Sequence, residues 1–215
     1  MTPDLIYCAD NAKYGQIATE CGHLSGTQLP NKVYLPPYFA DQDWKHPNRA
    51  AYLGMLRTHK PRLATVLDWE REEQLSEVLG WAEDAAAFAD CVILIPKVHG
   101  GVARLPRAIG GKPVRLGYSV PTKYAGTDLF LSEFIGWPVH LLGGSPKNQM
   151  KLARYLDVKS TDGNYIHHKI VHGQFFDGVR WLQLKDAGIN VQGADIPETV
   201  LRLSWPAICR AWAAL

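Results

Sequence analysis

The stretch from Pro138 to Asn164, PVHLLGGSPKNQMKLARYLDVKSTDGN, restricts the fold more than any other part of the chain. A short apolar run (Val139, Leu141, Leu142) stops at Gly143-Gly144-Ser145, and a segment follows in which Met150, Leu152, Tyr155 and Leu156 can share one helical face. That order predicts a strand, a tight turn and a helix. A second run, Val158 and Ser160, ends on Asp162-Gly163-Asn164. Two strands finishing alike, in small and polar residues, predict a parallel pair with the chemistry at its C-terminal ends.

The rest of the chain repeats the pattern. Leu5 to Ala9 reads as a strand running into Asp10-Asn11-Ala12-Lys13-Tyr14, Leu63 to Leu67 as one ending at Asp68-Trp69, and Val92 to Ile95 as one ending at Pro96-Lys97. Val114 to Leu116 ends at Gly117-Tyr118-Ser119. Helices are expected over 48–59, 70–89 and 127–135, and residues 21–47, rich in Gly, Pro and Asn, read as a long covering loop with at most a short strand at Val33 to Leu35. Six strands separated by helix-length segments imply parallel pairing with right-handed crossovers. The expected fold is therefore α/β: a (β/α) TIM-like barrel, incomplete or irregular, with an open doubly wound sheet as the alternative. Neither GxGxxG nor GxxxxGK[ST] occurs, which weighs against a nucleotide-binding sheet. One domain, 1–215, is expected, with a barrel core over about 1–164 and a C-terminal helical extension over about 165–215. In that extension a helix from about Pro197 to Ala214 carries Val200, Leu201, Leu203, Trp205, Ile208 and Trp212 for packing on the barrel's outside or on a partner.

Composition sets outer limits. With 215 residues, 47% hydrophobic and 20% charged, the chain has the make-up of a water-soluble domain with one sizeable core. A net charge of +2 admits a nucleic-acid partner without requiring one. The four cysteines show no CxxC pair, so no zinc site or disulfide framework is signalled, and Cys8 and Cys91 read as buried thiols in a reducing cytoplasm. MTPDLIYCAD lacks a basic leader, and no apolar run approaches the roughly 20 residues that span a bilayer, so neither export nor membrane insertion is expected.

Asp10, Asp68 and Asp162 each follow an apolar run directly. Parallel strands would aim all three into one mouth, where neighbouring carboxylates push each other's pKa values apart and one can attack while another handles a proton. That suits displacement at a sugar anomeric carbon. A plainer reading competes: Asp68 could simply cap a helix starting at Glu70, whereas Asp162 has no strong helix after it. Gly117 and Gly143-Gly144 allow a planar ligand close to the backbone or merely make tight turns. Tyr14 could stack on a base, and Lys97 could meet a phosphate or carbonyl or stay solvated. His167, His168 and His172 lack the partners of a metal site and suit phosphate-backbone contacts.

In order and nearly in register over residues 5–164, these segments resemble the tRNA-guanine transglycosylase superfamily, in particular its phage and bacterial 7-deazaguanine DNA transglycosylase branch. Asp10-Asn11-Ala12-Lys13-Tyr14 resembles the family's Asp-Ser-Gly-Gly-Phe segment, and Asp68 its aspartate that reads the base edge. Arg115 to Val120 resembles the strand end lining the base pocket, with Gly117, Tyr118 and Ser119. Val139-His-Leu-Leu-Gly143-Gly144 is similar to the His-Leu-Hyd-Gly strand, and Ser160-Thr-Asp162-Gly-Asn164 to the segment carrying the nucleophile. The family's base-pocket glutamine falls near Pro96-Lys97, and its C-terminal Cys-x-Cys-x-x-Cys zinc site is missing, which argues against a tRNA substrate. The resemblance implies that Asp162 attacks C1′ of a deoxyguanosine, guanine leaves, and a 7-deazaguanine such as preQ0 enters while Asp10 manages its proton. It implies substrate contacts from Asn11, Tyr14, Asp68, Lys97, Gly117, Tyr118, Ser119, Gly143, Gly144 and Asn164, with no cofactor or metal. DNA, flipped or single-stranded, would be held by Lys147, Lys151, Arg154, His167 and His168 in the cytoplasm, that of the host if phage-encoded, and a homodimer is compatible. The alternatives are an N-glycosidase or nucleoside hydrolase, and a non-catalytic purine- or nucleotide-binding protein of the same fold.

Overall fold

The alternation of apolar runs and helix-length segments produces a parallel sheet, and the sheet closes on itself. A computed structural model describes residues 2–122 and 126–215. Among these, eight parallel strands form the barrel in chain order. They are β1 (Asp4–Cys8), β2 (Leu24–Leu29), β3 (Phe39–Gln42), β4 (Leu63–Thr65), β5 (Cys91–Leu94) and, beyond a two-residue antiparallel β6 (Ala108–Ile109), β7 (Lys112–Ser119), β8 (Pro138–Leu142) and β9 (Asp157–Thr161). β5 pairs with β7 through Val92↔Val114, and closure comes from β1 and β9 through Asp4↔Ser160 and Leu5↔Thr161.

The helices are α1 (Ala12–Glu20), α2 (Arg49–His59), α3 (Leu75–Ala86), α4 (Pro146–Leu152), α5 (Ile166–Ile170) and α6 (Asp195–Ala213). Their starts follow from local chemistry. Asn11 and Asn48 each accept a backbone N–H three residues on, from Tyr14 and Ala51, and Ser145 does the same for Asn148 ahead of Pro146 at the first helical position. No α-helix joins β2 to β3, β5 to β7 or β7 to β8 among the described residues, which makes the barrel irregular although it is closed.

Several expectations change. Residues 21–47 hold two barrel strands, β2 and β3, while Val33 to Leu35 forms none. The helix expected from Glu70 begins only at Leu75, after a 3-10 turn at Glu72–Gln74, because the preceding chain stays extended: Trp69 bridges Pro96, with Trp69 N donating to Ile95 O and Lys97 N to Trp69 O. The helix expected over 127–135 is a single 3-10 turn, Leu131–Phe134, followed by Gly136 at φ +78. α4 stops at Leu152, so Tyr155 lies exposed and only Leu156 of that pair is buried.

Side chains alternate between two cores, as the pleat requires. Inside the barrel, Ile6, Phe39, Leu63, Cys91, Ile93 and Ile95 pack together, while Tyr7, Leu116 and Leu141 point out under the helical shell. Cys91 is buried, Cys8 half-buried, and all four cysteines are free. The C-terminal extension shares the outer core: α6 lies across α1, with the Trp205 ring 4.8 Å from Tyr7 and 4.3 Å from His23. A hairpin, β10 (Gln174–Phe176) and β11 (Trp181–Gln183), is tied to α6 where Phe176 N donates to Ser204 Oγ. Among the described residues no helix is long and apolar enough to cross a membrane.

Gly117 sits on the inner face of β7, where an added Cβ would stand 2.7 Å from Ile95 Cγ1 and 2.9 Å from Leu142 Cδ1. The β-branched Ile95 has little freedom to retreat, so Gly117→Ala is expected to cost about 1–3 kcal/mol. At about 2–4 °C per kcal/mol for a chain of this size, a thermal melt resolves that loss, and an unchanged melt would show slack in the interior.

Candidate active site

The C-terminal ends of the strands surround a cavity of about 360 Å³, a volume suited to a small-molecule ligand. Its lining comes from most of the barrel: Cys8 from β1, Gln28 from β2, Asp41 from β3, Thr65 from β4, Ser119 from β7 and Leu142 from β8, with Asp68, Lys97, Gly143, Gly144, Asp162 and Asn164 from the loops just beyond. Trp44 stands at the mouth, 51% exposed.

Asp162 is the most tightly held of these groups. Its N–H donates to Leu141 O, and Gln149 Nε2 reaches both Gly143 O and Asp162 O, locking the β8 and β9 loops together. Gly144 adopts φ +79, and a Cβ there would collide with Val120 at 2.4 Å, so only glycine lets this turn approach so closely. On the side chain, Oδ1 accepts from Gly143 N and lies 3.2 Å from His140 Nε2, while Oδ2 receives the Cys8 thiol at 3.5 Å. Behind it, His140 Nδ1 lies 2.7 Å from Ser160 Oγ, which accepts from Arg115 Nη1 at 2.8 Å. The order Ser–His–Asp is that of a hydrolytic triad, but Ser160 is fully buried within the barrel and the carboxylate faces the cavity. The end that can meet a substrate is Asp162.

Asp41 is the residue that sequence reasoning missed. It lies on the inner face of β3, accepting from Thr65 Oγ1 at 2.8 Å, and Thr65 Oγ1 accepts from Gln42 N. Burial, then the nearby Asp162 carboxylate, pushes its carboxyl up to about 8. A carboxylic acid therefore stands beside a carboxylate at neutral pH, the pairing that acid–base and nucleophilic chemistry needs. The alternation Phe39-x-Asp41 was the available signal, masked by Pro36-Pro37 and by the brevity of the strand.

The structure gathers Asp68, Lys97, Ser119, Gly143, Gly144, Asp162 and Asn164 at the cavity and leaves Asp10, Asn11, Tyr14, Gly117 and Tyr118 outside its lining. Asp10 is 62% exposed, bonded to Asn11 Nδ2 and 3.5 Å from His167 Nε2, whose ring also meets the Tyr7 hydroxyl. Asn11 caps α1, and Tyr14 packs against the outer core. Gly117 lies one layer below the cavity, and Tyr118 points outward onto Phe134 at 5.1 Å. Asp68 does not cap a helix: Gln74 Oε1 accepts from Glu70 N and Arg71 N, while Asp68 Oδ2 holds Lys97 Nζ at 2.7 Å. Burial raises the Asp68 carboxyl, with Lys97 opposing. The Trp69–Pro96 bridge brings these two loops together. Lys147, Lys151, Arg154 and His168 are exposed and His167 is half-buried, on or beside α4 and α5. Among the described residues no group of three or more His, Cys, Asp or Glu side chains is placed to hold a metal.

The chain matches, over residues 18–213, a family described as a family of unknown function (DUF6610). No curated protein matches it.

Asp41 carries a consequence for stability. Between its ordinary 3.8 and about 8, the folded chain keeps a proton that the unfolded chain has released, so its contribution declines as pH rises through that window. Asp41→Asn removes the decline. Relative to the wild type, the variant is expected to gain up to about 1.4 kcal/mol per pH unit between pH 5 and 8 in denaturant titrations. A difference that does not change with pH would place the Asp41 carboxyl in water.

Proposed function

We propose that this chain, which belongs to the DUF6610 family, is a base-exchanging transglycosylase that replaces guanine in DNA with a 7-deazaguanine such as preQ0. The observation that carries the reading is the pairing of Asp162, oriented by Gly143 N and His140, with Asp41, whose carboxyl is pushed up to about 8, at one cavity. The ordered resemblance of the strand-end segments supplies the substrate class.

The cycle balances on those two groups. An Asp162 carboxylate oxygen bonds to C1′ as the C1′–N9 bond breaks, and the Asp41 acid gives its proton to the departing guanine. The incoming 7-deazaguanine returns a proton from N9 to Asp41, its N9 bonds to C1′, and the Asp162 carboxylate is released. Asp41 takes the role expected of Asp10, since Asp10 lies outside the cavity lining. Asp68, held by Lys97, offers acceptor oxygens to the N–H edge of the base. Trp44 at the mouth takes the stacking role expected of Tyr14. The exposed Lys147, Lys151, Arg154 and His168 offer a path for the phosphate backbone of a flipped or single-stranded nucleotide.

Incubation of the protein with guanine-containing DNA and labelled preQ0 tests the reading. Label is expected in the DNA with wild type and not with Asp162→Ala, and label uptake that survives this substitution would remove Asp162 as nucleophile. Free guanine released without label uptake would instead indicate an N-glycosidase, and tight purine binding with neither outcome a binding protein. In single-turnover experiments Asp41→Asn is expected to slow guanine departure about 10²–10⁴-fold. The wild-type rate is expected to fall above about pH 8, where Asp41 loses its proton, and the Asn variant to lack that limb.

A further inference from the structure

Below the cavity, a line of polar groups runs down the barrel interior, an arrangement that packing alone does not require. Arg115 stands 3.7 Å from Asp4, which accepts from the Tyr38 hydroxyl at 2.7 Å, and Arg115 Nη1 also donates to Ser160 Oγ at 2.8 Å. His140, with no exposed surface, links Ser160 to Asp162, and the Phe39 ring stacks on its imidazole at 4.7 Å.

We infer that Arg115 and Ser160 fix His140 as the Nε2–H tautomer, which commits Asp162 Oδ1 as an acceptor and leaves Oδ2 as the attacking oxygen. The last clause rests on the proposed role of Asp162; the tautomer does not. A guanidinium has only donors, so the Ser160 oxygen must accept from Arg115 Nη1. The Ser160 hydroxyl hydrogen then needs an acceptor, and His140 Nδ1 at 2.7 Å is one when it carries no proton. The imidazole proton then sits on Nε2, facing Asp162 Oδ1 at 3.2 Å, so the Ser160 hydroxyl and the His140 ring N–H each meet an acceptor. The opposite tautomer would turn a lone pair of Nε2 onto a carboxylate oxygen and leave the fully buried Ser160 hydroxyl without this partner.

The two carboxylate oxygens are therefore unequal. Oδ1 takes two N–H donors, from His140 and Gly143, while Oδ2 has the weakly donating Cys8 thiol at 3.5 Å. His140 and Ser160 act as positioning residues: neither is placed to touch the substrate, and both determine how Asp162 is presented.

Long-range proton–nitrogen correlation on the full-length protein labelled with ¹⁵N-histidine tests the assignment. The expected spectrum gives His140 one protonated nitrogen at Nε2 and one unprotonated at Nδ1; an Nδ1–H pattern, or two protonated nitrogens, overturns it. The resonances are assigned by their loss in His140→Gln or, if that variant does not fold, by their shift in Ser160→Ala. In the base-exchange assay Ser160→Ala is expected to lower kcat about 10²-fold with KM unchanged, as misplacement of a reacting atom does. An unchanged kcat overturns the positioning role. The spectrum decides the tautomer whether or not the wild type exchanges bases, so a failed assay of the wild type counts against the functional reading alone.

Discussion

Barrel closure depends on one short seam, the pairing of Asp4 with Ser160 and of Leu5 with Thr161, which joins the first strand to the last. Were the sheet open, β1 and β9 would be two edges of unpaired backbone, and Cys8 and Asp162 would lie far apart. With it closed, every inward side chain on one level meets the others across the axis, and all eight strand ends open into the same mouth. The short, polar β2 and the four-residue β3 hold as strands because each is paired on both sides.

The same closure makes the interior polar chain possible. An arginine, a histidine and a serine inside a barrel would be costly if any were left unpaired, since desolvation in the interior is recovered only through completed hydrogen bonds. Here Asp4, Arg115, Ser160, His140 and Asp162 form a continuous line, and the apolar layer of Ile6, Phe39, Leu63 and Ile93 surrounds it. The site is thus supported from below by side chains on rigid strands, while its loops, pinned by Gln149 and by the approach of Gly144 to Val120, shape the walls.

Much of the site was legible because parallel strands leave their mark on the residue that follows them. Asp68 and Asp162 were found this way and do line the cavity, and Lys97 follows from the end of β5. Asp10 carried the same mark and is two residues beyond the inward Cys8, but β1 ends at Cys8 and the chain after it turns the Asp10 carboxylate away toward His167. Asp41 escaped notice for the opposite reason. Its strand offers no apolar run, since the inward positions near the mouth line a polar cavity, and two prolines stand just ahead of it.

The sequence alone determined most of the alternation of strands and helices, the helix that begins at Asn48, the turn and helix after Gly143-Gly144, and the amphipathic α6, because these follow from hydrogen-bonding and burial within a few residues. Only the tertiary structure decided that the barrel closes, that residues 21–47 supply two of its strands, and that Asp41 rather than Asp10 faces Asp162. The first and third outcomes depend on pairing and charge proximity between segments more than a hundred residues apart, and the second on pairing with β1 and β4 on either side. No local pattern records what a side chain will meet across the axis of a closed sheet.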